Sequence, residues 1–118
     1  MKSQNLATGR LGETAATENL KQKGYEILER NFRNKFGEID IIAKDKNTLV
    51  FVEVKTKIGD AFGLPEEMIN KNKLSKIRRM ATIYTKGYET LCRLDIIAIV
   101  INPKNKQITR LSHYQNVY

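Results

Sequence analysis

Two strongly β-prone segments separated by a four-residue polar turn constrain the fold of this chain most. The segments Gly37–Lys44 (GEIDIIAK) and Leu49–Lys57 (LVFVEVKTK) are rich in β-branched residues. Residues 45–48, Asp-Lys-Asn-Thr, are polar and short enough to join them as an antiparallel hairpin. With the turn centred on residues 46–47, Asp40 lies opposite Glu53, and Glu38 lies opposite Lys55.

The other elements follow from periodicity and from helix-ending glycines. Gly24 and Gly87 each follow a helical pattern, and Pro65 can open a helical turn after the loop Gly59–Leu64. Outside the hairpin, the predicted elements are a helix over Leu6–Lys23, a strand over Tyr25–Phe32, a turn over Asn34–Gly37, a helix over Asn72–Lys86, and strands over Arg93–Ile101 and Gln107–Ser112. The order α-β-β-β-α-β-β predicts one α/β domain over residues 1–118, with a mixed sheet flanked by helices.

Acidic side chains inside the apolar hairpin strands need a physical reason. Because side chains alternate along a strand, Glu53 and Lys55 share one face of the hairpin, while Ile39 and Ile41 are expected to lie together on the opposite face from Asp40. Residues opposed on one face have Cβ atoms ~4.5–5.5 Å apart, so the two carboxylates would repel. A hard divalent cation, Mg²⁺ or Mn²⁺, would relieve the repulsion. The alternative is an ordinary cross-strand network in which Lys55 neutralises both acids; we prefer the metal.

Charge is distributed unevenly along the chain. The formal net charge is +8 and the sequence pI is about 9.7, which favours polyanions such as nucleic acid or an anionic membrane surface. No acidic residue falls between Glu67 and Glu89, and this window holds Lys71, Lys73, Lys76, Arg78, Arg79 and Lys86. The helix predicted there needs its apolar face for the core, so a peripheral membrane role is the weaker interpretation.

Two further features bear on the compartment. The single cysteine, Cys92, excludes an intramolecular disulfide and is expected to be a small core residue. No stretch approaches the ~20 apolar residues of a membrane span, and the first residues contain no apolar signal-peptide region. We therefore expect a soluble, cytoplasmic protein with no membrane partner.

The short pattern Asp40 … Glu53-Val54-Lys55 resembles the PD-(D/E)XK nuclease signature. Ile39 stands where that signature has proline, which carries no chemistry. A more specific resemblance covers almost the whole chain and is to the YraN family, whose members are predicted endonucleases similar to archaeal Holliday-junction resolvases. It rests on the segments Gly9-Arg10-Leu11-Gly12-Glu13, Gly24-Tyr25, Asn31-Phe32-Arg33, Gly37–Ala43, Phe51–Lys57 and Arg93–Ala98. The resemblance implies a restriction-endonuclease-like fold, DNA as the polymer, and a possible homodimer, because symmetric cuts need two sites.

The resemblance also implies roles for individual residues. Asp40 and Glu53 would bind the metal, with the backbone carbonyl of Val54 completing the site. Lys55 would position or help to deprotonate the attacking water and stabilise charge on the phosphate. Glu13 on the first helix would reach the metal through water; alternatively it is a first-turn glutamate stabilised by the helix dipole.

The remaining charged residues are given more limited roles. We expect Glu38 to pair with Lys55, and Arg93 to form a local ion pair with Asp95 on the same strand face. His113 receives no role because no partners for it can be identified from the sequence. The candidates for phosphate contact are Arg10, Lys57, Lys73, Arg78 and Arg79.

Two functions are consistent with these observations. The first is a metal-dependent endonuclease that hydrolyses phosphodiester bonds in DNA, including branched or structured DNA. The second is a nucleic-acid-binding module that keeps the nuclease fold with weak or no turnover. The set Asp40, Glu53 and Lys55 favours the first function, since a binding module has no need of crowded carboxylates.

Overall fold

The computed structural model describes residues 2–59, 61, 63–87 and 90–117, with backbone only for residues 2–6 and 68. The elements are α1 (Lys2–Gln22), β1 (Glu26–Asn34), β2 (Gly37–Asp45), β3 (Thr48–Ile58), a 3-10 helix (Pro65–Met68), α2 (Lys71–Tyr84), β4 (Cys92–Ile101) and β5 (Ile108–Tyr114). The predicted order α-β-β-β-α-β-β is confirmed, and the helical turn at Pro65 is the 3-10 helix. Asp60 and Phe62 of the predicted loop lie outside the described residues.

The five strands form one mixed sheet in the order β1-β2-β3-β4-β5. The pairs β1–β2, β2–β3 and β4–β5 are antiparallel, whereas β3 and β4 run parallel. A parallel pair needs a crossover connection, and α2 supplies it between β3 and β4. Among the described residues, no helix is long and apolar enough to cross a membrane.

Two hydrophobic clusters place the helices on opposite faces of the sheet. On one face, Ala16 and Leu20 of α1 pack against Val50, Val52 and Val54 of β3. On the other face, a second cluster joins α2 to β3 and β4 through Ile77, Met80, Ala81, Phe51 and Leu94. Strand β4 therefore lies between two apolar layers, which explains why its sequence is a nearly continuous apolar run.

The predicted hairpin register is confirmed where the backbone ladder runs. Asp45 pairs with Thr48 at the turn, and the ladder continues to Ile41 opposite Val52. The predicted alternation is wrong at Ile39, which packs in the α2 cluster, whereas Ile41 packs in the α1 cluster. The pleat is irregular at this level, where Asn31 on the neighbouring strand has a left-handed φ of 55°.

Cys92 is not the core residue predicted from the sequence. It is the first residue of β4 and is exposed, and its Sγ donates a hydrogen bond to the carbonyl of Thr90 (3.2 Å). The buried part of the strand begins only at Leu94. The sequence indicates the strand, but the depth of its first residue depends on where the sheet edge meets solvent.

Helix α1 approaches strand β3 closely at Gly12. A Cβ atom at this position would lie 1.8 Å from Oγ1 and 2.9 Å from Cβ of Thr56 on β3. Rotation about χ1 of Thr56 would exchange Oγ1 for another group but would leave its Cβ in place, so the side chain alone cannot relieve the contact. Gly12 is therefore required for the contact between α1 and β3, and it sets the height of the next residue, Glu13, above the sheet.

We predict that Gly12→Ala destabilises the protein by about 1–3 kcal/mol, because overpacking a close contact forces the helix off the sheet. The matched control is Gly9→Ala in the same helix, where an added Cβ meets no atom within 4 Å. That control should stabilise the protein by roughly 0.5–1 kcal/mol through helix propensity. Urea denaturation of the three proteins measures both changes; two equal effects would contradict the role assigned to Gly12.

Candidate active site

The hairpin opens at Asp40. The backbone ladder between β2 and β3 ends at the pair Ile41–Val52, and one step further the Oδ2 atom of Asp40 accepts a hydrogen bond from the backbone N–H of Val54 (2.8 Å). A side-chain carboxylate thus takes the place of a backbone carbonyl on the ladder. This bond satisfies an amide that would otherwise lose its partner, and it fixes the carboxylate against β3.

Glu53 is a buried carboxylate beside Asp40. Its residue is only 6% exposed, and its Oε1 atom lies 3.2 Å from the Nζ atom of Lys73, in the first turn of α2. Burial raises the pKa of Glu53 to about 8, with further contributions from the charge of Asp40 and a hydrogen bond shared with it. Lys73 opposes this shift but does not cancel it. The two carboxylates predicted to lie opposite each other are therefore close enough to share a hydrogen bond.

A cleft of about 230 Å³ opens in front of this pair, between the hairpin and α2. A water molecule occupies ~30 Å³ of liquid volume, so the cleft can hold a hydrated ion or a phosphate group. Basic side chains border it on the α2 side. Its lining residues are Phe36, Gly37, Glu38, Asp40, Glu53, Lys73, Lys76, Ile77 and Met80.

Glu13 lies within the electrostatic reach of the same site. Burial raises its pKa, as do the charges of Asp40 and Glu38, whereas Arg30 and a hydrogen bond with Asn31 lower it. Its backbone carbonyl accepts a hydrogen bond from Oγ1 of Thr17 (2.7 Å), which holds that turn of α1. The helix thus brings a third carboxylate toward the open end of the hairpin.

The donor set fits a hard divalent cation. Mg²⁺ typically takes one or two carboxylates and completes its shell with water and phosphate oxygens. Asp40 and Glu53 supply two neighbouring carboxylates, and the cleft leaves room for water. Within the described part of the chain, no group of three or more His, Cys, Asp or Glu residues is arranged to hold a metal.

The other predicted site residues are not all at the cleft. Lys55 is half-buried, two residues after Glu53 on the same strand. The Nζ atom of Lys57 donates to the carbonyl of Gly63 (3.5 Å), and Arg78 borders a separate cleft at the far end of α2. Arg10 and Arg79 are exposed, on α1 and α2 respectively.

The sequence predicted that Glu38 pairs with Lys55, and this prediction is wrong. It forms an ion pair with Arg33, its direct partner on β1, at 3.3 Å between Nε and Oε2. The reason is topological: β2 has a neighbour on each side, and the register alone could not show that the β1 side offers a closer cation.

Sequence reasoning missed Lys76 as a residue of the cleft, although the acid-free window contains it.

Sequence reasoning also missed a buried network around Asp95, which is 1% exposed. The predicted pair Arg93–Asp95 is confirmed (3.1 Å), but Asp95 also accepts from the backbone N–H of Asn116 (3.0 Å), and its Oδ2 lies 2.7 Å from Nε2 of His113. No local pattern could show this, because the partners lie 18 and 21 residues away.

The fold and the site define an α/β domain in which a hairpin opens to present two neighbouring carboxylates to a cleft bordered by lysines. Residues 12–99 match the family described as "Uncharacterised protein family UPF0102". The chain belongs to this family, UPF0102, which is the YraN family that the sequence motifs resemble.

Individual relatives support this membership along the whole chain. A UPF0102 protein of Caldanaerobacter subterraneus subsp. tengcongensis is 43% identical over 124 residues, an alignment that covers 100% of both chains. A UPF0102 protein of Clostridium botulinum (strain 657) is 48% identical over 108 residues, or 86% of this chain and 85% of the relative. One from Persephonella marina is 50% identical over 99 residues, or 80% and 84%.

We predict that Glu53 makes the metal-free protein less stable as the pH rises. Between pH 4.5 and about 8, the unfolded chain has released this proton, whereas the folded pair Asp40–Glu53 still shares it and carries a single negative charge beside Lys73, so the free energy of unfolding falls across this window. Glu53→Gln should remove that slope and be at least as stable as the wild type at pH 8. Urea denaturation in EDTA at several pH values measures the effect.

The control for this prediction is Glu18→Gln, which removes an acid whose side chain is 61% exposed and pairs only locally with Lys21. Its stability should follow that of the wild type at every pH. A Glu53→Gln variant clearly less stable than the wild type at pH 8 would show that the ion pair with Lys73 outweighs the repulsion by Asp40, and that the site is a structural network.

Proposed function

We propose that this protein is a metal-dependent endonuclease that hydrolyses phosphodiester bonds in DNA, with branched or structured DNA as its substrate. The observation that carries the proposal is the pair Asp40–Glu53, two neighbouring carboxylates kept in a cleft at the cost of a strongly raised pKa. A purely structural role would be served better by a single acid paired with Lys73. Groups with pKa values shifted by burial and by a specific charged neighbour cluster at functional sites.

Each residue of the site has a chemical task in this proposal. Asp40 and Glu53 would hold Mg²⁺ or Mn²⁺, and Glu13 would contact it through water. The cation supplies a Lewis acid and lowers the pKa of a bound water. Lys55 would orient the attacking water or help to deprotonate it, and in its ammonium form it would stabilise charge that develops on the phosphate.

The exposed basic residues of α2 extend this site into an interface for a polyanion. Lys76 lines the cleft itself, and Arg79 lies one turn further along the helix on its solvent side. Arg10 on α1 and Lys57 on β3 add further positive charge. Such contacts to phosphates bind without reading sequence, which suits recognition of DNA by shape.

The proposal extends to the fold family and the oligomeric state of the protein. The element order and the quoted motifs support a restriction-endonuclease-like fold and kinship with Holliday-junction resolvases. Symmetric cutting of a branched DNA requires two sites, so the proposal includes a homodimer, and an activity on DNA would place the protein in the cytoplasm.

The second candidate is a nucleic-acid-binding module without useful turnover. The ion pair Lys73–Glu53 favours it, since a carboxylate neutralised by a lysine has less need of a metal. The two candidates share the basic surface and differ only in what the carboxylates do.

We predict that the wild type cleaves DNA with Mg²⁺ or Mn²⁺ and that Asp40→Asn or Glu53→Gln each lowers the rate by at least about 10²-fold. Branched, nicked and single-stranded substrates should be tested side by side. Lys55→Met should lower kcat while leaving Mn²⁺ affinity within about twofold, because Lys55 is not a ligand. Glu18→Gln on the exposed side of α1 should cleave like the wild type.

The same panel separates the two candidates. Cleavage that survives in both Asp40→Asn and Glu53→Gln would assign the chemistry to other residues. A wild type that binds DNA but cleaves none of the substrates with either metal would establish the binding module.

We predict that Lys76→Gln combined with Arg79→Gln reduces the salt dependence of duplex DNA binding. Each lost phosphate contact should reduce the slope of log K against log[salt] by ~0.9. The control carries Lys44→Gln and Lys46→Gln at the closed end of the hairpin, where both lysines are exposed and the net charge changes equally. Equal slopes for the two double variants would show that α2 does not contact the DNA.

A further inference from the structure

The ammonium group of Lys73 lies 3.2 Å from Oε1 of Glu53, a carboxylate oxygen that a divalent cation in the cleft would need. We propose that Lys73 serves as an internal counter-ion of the metal-free site, that metal binding displaces it, and that the released lysine then contacts the phosphate of the substrate. This inference rests on the proposed function, since it assigns a metal-dependent second role to a residue of the same cleft.

The two ends of this ion pair differ in their freedom to move. The side chain of Glu53 is 7% exposed, whereas that of Lys73 is 42% exposed. A lysine ammonium is a compact charge on a flexible four-carbon stem, so it can leave the pair by rotation of its own side chain. Glu53 is held in the middle of the sheet, between β2 and β4, and cannot follow it.

The backbone of Lys73 is fixed while its side chain is not. Its N–H donates to the Oδ1 atom of Asn70 (2.9 Å), which caps the first turn of α2, and Ile77 is buried one turn later. The helix therefore keeps the Lys73 stem at the rim of the cleft in both states. Only the ammonium has to move, and Lys73 lines the same cleft as Asp40 and Glu53.

Competition follows from the position of the pair. A carboxylate that keeps its full contact with an ammonium cannot also be a short-range ligand of a metal at the same oxygen. When a binding-competent state is only partly populated, the apparent affinity for a ligand falls by that fraction. Lys73 should therefore weaken metal binding in the absence of substrate. When no metal is present, it should stabilise the buried charge of Glu53.

Lys76 provides the matched control. It lines the same cleft from the same helix and carries the same charge, and Glu53 pairs with Lys73 rather than with it. Loss of either lysine raises metal affinity through the long-range field, but only loss of Lys73 also removes a competitor from the Glu53 oxygen.

The first experiment measures Mn²⁺ affinity by calorimetric titration without nucleic acid. Lys73→Met should bind Mn²⁺ about fivefold more tightly than the wild type, the value expected for losing a partly exposed ion pair that opposes binding. Lys76→Met should differ from the wild type by less than about twofold. Equal affinities of the two variants would overturn the inference while leaving the proposed function intact.

The second experiment measures binding of a branched DNA with Ca²⁺, which also takes carboxylate oxygens, and with EDTA. Lys73→Met should lose affinity only in the presence of Ca²⁺, since in EDTA the lysine is occupied by Glu53. Lys76→Met should lose affinity in both conditions. An equal loss for Lys73→Met with and without Ca²⁺ would show that the lysine does not change partners, and would overturn the inference.

The two proposals fail in different ways. If neither the wild type nor Lys73→Met binds Mn²⁺, there is no cation position for Lys73 to hold, and both proposals fall. If Lys73→Met binds Mn²⁺ and the wild type does not, the competition is demonstrated directly. Glu53→Gln should bind no Mn²⁺, whether residue 73 is lysine or methionine. This result would show that the measured affinity depends on the Glu53 carboxylate.

Discussion

Glu53 is an acid placed in the middle strand of a five-stranded sheet, 6% exposed and beside a second carboxylate. Such a placement opposes folding, because burial and the charge of Asp40 both disfavour the ionised form. The structure tolerates it by three means: the shared hydrogen bond with Asp40, the ion pair with Lys73, and the anchoring of Asp40 to the backbone N–H of Val54. The electrostatics of the cleft depend on this arrangement.

The surrounding elements are arranged so that helices approach the pair from both faces of the sheet. On one face, Gly12 lets α1 approach β3 so closely that the charge of Asp40 raises the pKa of Glu13. On the other face, the buried Ile77 and Met80 hold α2 against β3, and the first turn of that helix carries Lys73. The two apolar clusters thus supply the stability and also set the distances at the site.

Asp95 is a second buried carboxylate of this protein, and its partners differ from those of Glu53. Although burial alone would raise its pKa, hydrogen bonds with His113, the backbone of Asn116 and Arg93 hold the pKa below its usual value. Glu53 has an anionic neighbour instead, and its pKa is raised. The same fold therefore contains one acid whose partners stabilise its charge and one whose single cation, Lys73, only partly offsets burial and the charge of Asp40.

Local sequence determined the elements, their order and the hairpin register, because β-branched runs, helix-ending glycines and a four-residue turn act over short distances. That register was enough to predict Asp40 beside Glu53. The sequence could not show that Glu38 would pair with Arg33, that Lys73 would reach Glu53, or that His113 would meet Asp95. Those contacts join residues of different elements, so only the packing of two helices and an edge strand on the sheet decided them.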